Sequence, residues 1–370
     1  MKAQNLTIAL LIALTCTSCK ISRFAYYNFA NITDHKIFPK RVVEKPETAF
    51  QFEYSEKNLP IDSLSATSNG VTKKVSFNDY LEQNETVAYI IIKNDSILYE
   101  NYLNGYEESS IVNSFSMAKS ILSILVGIAI DEGKIESIDE PIIRYLPELT
   151  NKGFDAVTID HLLNMSSGID FNESYKNPFG DAATFYYGTN LTKASFNLKP
   201  KYPPGTRFKY SSGDSQLLGL VLASALKDQS ISSYLEEKLW KPLGMEFDAS
   251  WSLDRKDGIE KTFCCVNARA RDFAKIGRLF MNNGTWNGKQ IVSESWVKQS
   301  TKIDTTHGKK ATYQHQWWIN PEDKSFEAEG ILGQHIYVHP EKNVVIVRLG
   351  KKVGKTGAWS GLAKGIAAKL

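Results

Sequence analysis

Ser116-Met-Ala-Lys-Ser-Ile-Leu-Ser-Ile-Leu-Val-Gly-Ile-Ala-Ile-Asp131 is the stretch on which the reading of this 370-residue chain turns. Its length suits a helix. After the first turn it is apolar nearly all round, so the helix is expected to be buried. Ser116 and Lys119 lie three apart and share one helix face. A serine at the helix start sits at the positive end of the dipole, where developing negative charge is favoured, and a lysine one turn later can share its proton. The spacing alone is weak evidence. Ser295-Trp-Val-Lys298 repeats it in an exposed-looking amphipathic segment, where it reads as coincidence. A plain N-cap serine would also fit position 116.

Working outward, Pro204-Gly-Thr-Arg-Phe-Lys-Tyr-Ser-Ser-Gly-Asp-Ser-Gln-Leu-Leu-Gly219 puts Tyr210 on a Gly/Ser-rich loop before an apolar helix. A serine–lysine pair needs a second proton carrier. A tyrosine beside an ammonium can act as a phenolate base. Taken alone, a half-buried structural tyrosine explains Tyr210 as well.

The flanks read as strands. Val87–Ile92 and Ser96–Tyr102, joined at Asn94-Asp95, form a hairpin pattern. Strands are also expected at Ser325–Glu329, Gln334–His339 and Asn343–Leu349, with a turn at Pro340–Asn343 and a last helix over 358–370. Between the ends lie helical stretches and long loops, including Ser233–Trp240 before Pro242, Asn267–Met281 and Ser293–Gln299. The expected fold class is α/β (α+β): an antiparallel sheet from both chain ends flanked by helices, with a helical insertion at about 135–265.

With 42% hydrophobic and 23% charged residues the chain is globular. A net charge of +3 without a basic block argues against nucleic-acid binding. The one long apolar run is N-terminal, which excludes a polytopic membrane protein. Lys2 followed by Leu6–Leu14 and small residues is a secretory signal. Small residues running into Cys19 resemble a bacterial lipoprotein signal, in which Cys19 would be acylated. The expected organisation is a signal peptide at 1–18, a lipid-attached arm or tether at 19–60 rich in aromatics, and a catalytic domain at 61–370. That places the protein in the bacterial cell envelope, held to a membrane by the lipid anchor only. The four cysteines form no zinc pattern. Cys264-Cys265 reads as a buried pair of small hydrophobes.

Several segments in order resemble the serine β-lactamase and penicillin-binding-protein superfamily, nearest its class C-like esterases and 6-aminohexanoate-oligomer hydrolases. They are Ser116-Met-Ala-Lys119, Thr158-Ile-Asp-His-Leu-Leu-Asn-Met-Ser-Ser-Gly168, Pro204–Ser212, Pro242-Leu-Gly-Met245, Ala270–Arg278 and Gly330-Ile-Leu-Gly-Gln334. The resemblance runs from about residue 80 to the end. It implies a β-lactamase-like fold, Ser116 as nucleophile, Lys119 as its proton partner and Tyr210 as general base and acid. The family's Lys-Thr-Gly strand motif maps to Ala328-Glu329-Gly330. Ile331 would then offer its N–H to the oxyanion, together with that of Ser116. A literal Lys355-Thr-Gly357 follows the last strand and reads as coincidence.

Two departures bear on substrate. Ala328 stands where the family has the lysine that holds a β-lactam carboxylate, and Ser212 where it often has asparagine. Both weaken antibiotic hydrolysis and leave the serine chemistry intact. Asp160-His-Leu-Leu-Asn164 mimics a class A loop but fits a helix start better. Gly350–Thr356 falls short of a phosphate loop, there is no Gly-x-Ser-x-Gly elbow, and His335 and His339 are too far apart on a strand to chelate one metal. Trp317-Trp318 suits a cleft lining or plain packing equally. Asp170 and Tyr175 are possible cleft residues.

The reading is a serine hydrolase acting on an ester or amide through an acyl-enzyme on Ser116, without cofactor or metal, and expected to be a monomer. A D-amino-acid peptidase or β-lactamase-type activity on cell-wall-like substrates is the alternative. From another class, a non-catalytic envelope binder or sensor on the same fold remains.

Overall fold

The computed structural model describes residues 20–27, 29–57, 59–61, 63–68, 71–306, 308–354 and 358–370. The signal segment, Cys16, Cys19 and Lys355–Gly357 lie outside the described residues.

Both chain ends build one eight-stranded sheet. Its order is Tyr313–Gln314, Trp317–Ile319, Phe326–Gly330, Gln334–His339, Val344–Gly350, Thr86–Lys93, Ser96–Tyr102 and Glu53–Tyr54. Neighbours are antiparallel, except that Glu53–Tyr54 runs parallel to its partner. The expected hairpin is present, and Asn94 (φ 51°) and Asp95 (φ 61°) make its left-handed two-residue turn. The central strands read as apolar runs because both faces are covered. Helices Phe77–Gln83 and Trp359–Lys369 pack with Tyr89, Ile91, Tyr337 and Ile346 on one face. Helix Ala270–Met281 packs on the other, and Gly277 lets it approach closely: a Cβ there would lie 2.7 Å from Val345 Cγ1.

Helix Met117–Asp131 lies in the main core, against Phe326–Gly330 and helix Ser212–Leu226. Ile121, Leu122, Ile124, Leu125 and Val126 are fully buried. Each such side chain contributes roughly 1.5–3 kcal/mol on leaving water. The helix that presents Ser116 is therefore a rigid core element.

Three details differ from expectation. The helix expected from Asn267 begins at Ala270. Val266–Ala268 is instead a strand between Ala249–Ser252 and Val112–Asn113, and the Asn267 amide reaches Ser250 and Ser252. Pairing partners distant in sequence override the local helical pattern here. The arm expected over 19–60 is built into the domain through Lys40–Val43, which pairs with Ala249–Ser252, and through buried Ile32, Phe38 and Val43. The helix expected from Ser233 starts at Ile231 and passes into a π turn over Glu236–Trp240. Among the described residues no helix is long and apolar enough to cross a membrane.

Candidate active site

Ser116 opens the core helix with φ −65° and ψ −9°, and its hydroxyl caps no helix N–H. The plain N-cap alternative therefore does not hold. Lys119 Nζ instead lies 3.0 Å from Ser116 Oγ, 3.3 Å from Ser212 Oγ and 2.6 Å from the carbonyl oxygen of Phe263. The side chain is buried, and burial lowers its pKa to about 8, an effect partly opposed by the Glu173 carboxylate. At neutral pH an accessible fraction of Lys119 is the free amine.

Tyr210 faces Ser116 from the opposite loop, with Lys119 Nζ 5.2 Å from its ring centroid. Trp318 stacks on the Tyr210 ring with centroids 5.8 Å apart, and Tyr313 meets it edge-on at 6.0 Å. Burial, then the charge of Glu173, push the phenol well above its ordinary pKa. A resting phenolate is therefore disfavoured, and Tyr210 is poised as a proton donor. The two tryptophans divide the roles left open by sequence. Trp317 is buried against Phe280, and Trp318 holds Tyr210.

The Ala328-Glu329-Gly330 strand ends beside Ser116. A Cβ on Gly330 would lie 2.5 Å from the Ser114 carbonyl and 3.2 Å from the Ser116 nitrogen. Only glycine lets the strand approach this closely, which puts Ile331 next to the serine amide. The turn is held from behind. Gln334 Nε2 donates to the Ile331 and Gly350 carbonyls, and the buried Arg348 guanidinium donates to Leu332 O and Gly333 O while stacking on Trp359.

Ser212 is a buried neighbour of Lys119. Its N–H and hydroxyl donate to the two oxygens of Glu173 at 2.8 and 2.6 Å. The Tyr175 hydroxyl donates to the same carboxylate at 2.6 Å. Sequence reading missed Glu173, because a glutamate in an irregular loop carries no pattern. Of the two possible cleft residues in that loop, Tyr175 reaches the site, whereas Asp170 pairs with Lys201 on the surface.

Cys264 and Cys265 are buried as expected, but they are joined in a vicinal disulfide directly after the carbonyl that anchors Lys119. Ala328 is buried on the inward face of its strand, while Glu327 and Glu329 sit on the other with His335. Burial and the Glu327 charge raise the Glu329 carboxyl to about 7. Among the described residues these three could hold a cation, and His335 Nδ1 already meets Glu327 Oε2 at 3.1 Å. Ser295 and Lys298 of the second Ser-x-x-Lys match face solvent, with Lys298 paired to Glu294. Asp160–Asn164 belongs to the capped helix Ile159–Leu163.

The sequence profile of the beta-lactamase family matches residues 77–369. The chain belongs to the beta-lactamase family. Within it, a 6-aminohexanoate-dimer hydrolase of Paenarthrobacter ureafaciens is 27% identical over 329 residues, covering 83% of this chain and 82% of the relative. A Bacillus anthracis structure with a provisional 6-aminohexanoate-dimer hydrolase name superposes with a TM-score of 0.81 at 26% identity, covering 92% of this chain and 93% of that one. A family VIII carboxylesterase shares the fold, with a TM-score of 0.62 at 16% identity over 79% of this chain and 94% of that one. These relatives bear out the serine β-lactamase and penicillin-binding-protein resemblance and the fold expected from sequence. They also make this beta-lactamase family member a hydrolase in its general class.

Proposed function

We propose that this chain is a serine hydrolase that cleaves an ester or amide bond through an acyl-enzyme on Ser116. The observation that carries the reading is the 3.0 Å contact from the buried Lys119 amine to Ser116 Oγ, with the Tyr210 side chain facing the same serine. The free amine of Lys119 takes the serine proton as Oγ attacks the carbonyl. The Ser116 and Ile331 N–H groups receive the oxyanion. Tyr210 protonates the leaving group and is reprotonated from the Lys119 ammonium. A water then deprotonated by the same pair releases the acid and restores the serine.

The activity named for the Paenarthrobacter relative supports a linear amide as one substrate class, and the family VIII carboxylesterase of the same fold supports an ester. Ala328 in place of a cation, with Glu327 and Glu329 nearby, disfavours a substrate carboxylate at that strand. A panel of p-nitrophenyl esters, linear amides and a β-lactam, run on wild type and Ser116→Ala, tests the reading. Ester or amide turnover lost in Ser116→Ala is expected. Turnover that survives the substitution would reject the assignment. The lipid anchor is likewise proposed from the run of small residues into Cys19, and the mass of the mature N-terminal peptide tests it.

A further inference from the structure

A cavity of about 370 Å³ opens on Ser116 and Ile331. Its walls are mainly rings and methyls: Phe115, Ala183, Phe263 and Leu332 from the domain, and Phe24 and Phe29 from the N-terminal arm. Among the described residues no charged side chain lines it. Tyr186 contributes its ring and turns its hydroxyl away, onto Asp34 at 2.7 Å. The arm's share is structural: Phe24 meets Tyr187 edge-on at 5.5 Å, and helix Lys20–Tyr27 packs on helix Asp181–Tyr187.

Which half of a substrate fits here follows from the proton path. Tyr210 delivers the proton to the leaving group, and neither Tyr210 nor Lys119 lines the cavity. The leaving group therefore departs on the Tyr210 side, and the cavity faces the acyl half. A largely apolar cleft of this size suits a medium-length chain and offers an ammonium or carboxylate at the chain end no charged partner. We propose that this cavity binds an uncharged aliphatic acyl chain, with Phe24 and Phe29 of the arm closing one wall. The proposal rests on the serine hydrolase reading for its orientation, and on the cavity alone for its ligand class.

The test is the kcat/KM series of p-nitrophenyl acetate, butanoate, hexanoate, octanoate and dodecanoate, with the 6-aminohexanoyl ester beside the hexanoyl one, on the full chain. Burial of each methylene predicts a rise of roughly tenfold per two methylenes up to about octanoate. Hexanoyl should be preferred to 6-aminohexanoyl. Ala183→Phe, which fills the cavity, and Phe24→Ser, which opens its wall, should each lower the octanoate-to-acetate ratio at least tenfold. A flat or falling series, or preference for the 6-aminohexanoyl ester, overturns the acyl-chain site while leaving the serine hydrolase reading standing. Should no ester turn over, calorimetry of octanoate and acetate binding to Ser116→Ala decides the site by itself. Tighter octanoate binding supports it, and equal binding overturns it.

Discussion

Lys119 Nζ donates to the carbonyl oxygen of Phe263 at 2.6 Å, so the lysine is tied to the segment that carries the Cys264–Cys265 disulfide. Its other two partners are the hydroxyls of Ser116 and Ser212. All three are neutral, and none repays the burial of an ammonium as a carboxylate would. That is the physical origin of its lowered pKa, and it sets the pH behaviour of the site.

Because the free amine is the proposed base, kcat/KM for an ester is expected to rise with pH through about 8 and level off above it. Lys119→Met removes that limb together with at least a hundredfold of activity. A profile that falls across pH 7–9 would oppose the assignment of the base.

Glu173 acts on both proton carriers in the same sense. Its negative charge raises the pKa of Lys119 and that of Tyr210. Glu173→Gln removes the charge and keeps the side-chain shape, so both should titrate lower, and the rising limb should move to lower pH. The measurement is the pH profile of kcat/KM in the variant. A shift to higher pH would contradict the electrostatic role of Glu173.

At Gly330 the strand passes so close to Ser114 and Ser116 that a methyl group does not fit. Its φ of −134° is ordinary, so the cost of Gly330→Ala is steric rather than conformational. The strand must retreat, and Ile331 with it. A displacement of about 1 Å at an oxyanion donor costs roughly a hundredfold in kcat. Steady-state kinetics should show that loss in kcat, with KM changed little. Wild-type kcat in Gly330→Ala would refute the placement of the oxyanion site.

Legibility followed pattern. The hairpin, the C-terminal strands and the core helix are readable because their apolar periodicity is local, and Ser116, Lys119 and Tyr210 stand out as candidates because each sits in a dense motif. Helix Ala270–Met281 starts later than its local pattern predicts because Val266–Ala268 is a strand only by virtue of partners at 112–113 and 250–251. Glu173, the vicinal disulfide and the backing of the Ile331 turn by Arg348 and Gln334 were invisible for the same reason. Each depends on residues brought together from distant parts of the chain, with no spacing rule to announce it.

Asp214, in the first turn of helix Ser212–Leu226, illustrates a stability consequence. Burial raises its carboxyl to about 8 despite a hydrogen bond from Ser167. The folded state thus binds more protons than the unfolded state between about pH 4 and 8, and stability falls as pH rises through that window. Asp214→Asn keeps the oxygen that accepts from Ser167 and removes the ionisation. Its Tm should match wild type near pH 4 and exceed it by a few degrees at pH 8. An equal or lower Tm at pH 8, measured by thermal unfolding, would contradict the sign.

The central claim is covalent chemistry on Ser116, and the most direct measurement is mass spectrometry of the full chain after treatment with a fluorophosphonate. The expected result is one adduct, on the peptide containing Ser116, absent in Ser116→Ala and slowed in Lys119→Met. Protein that is folded by circular dichroism and cooperative thermal unfolding yet carries no adduct on Ser116 would contradict the account.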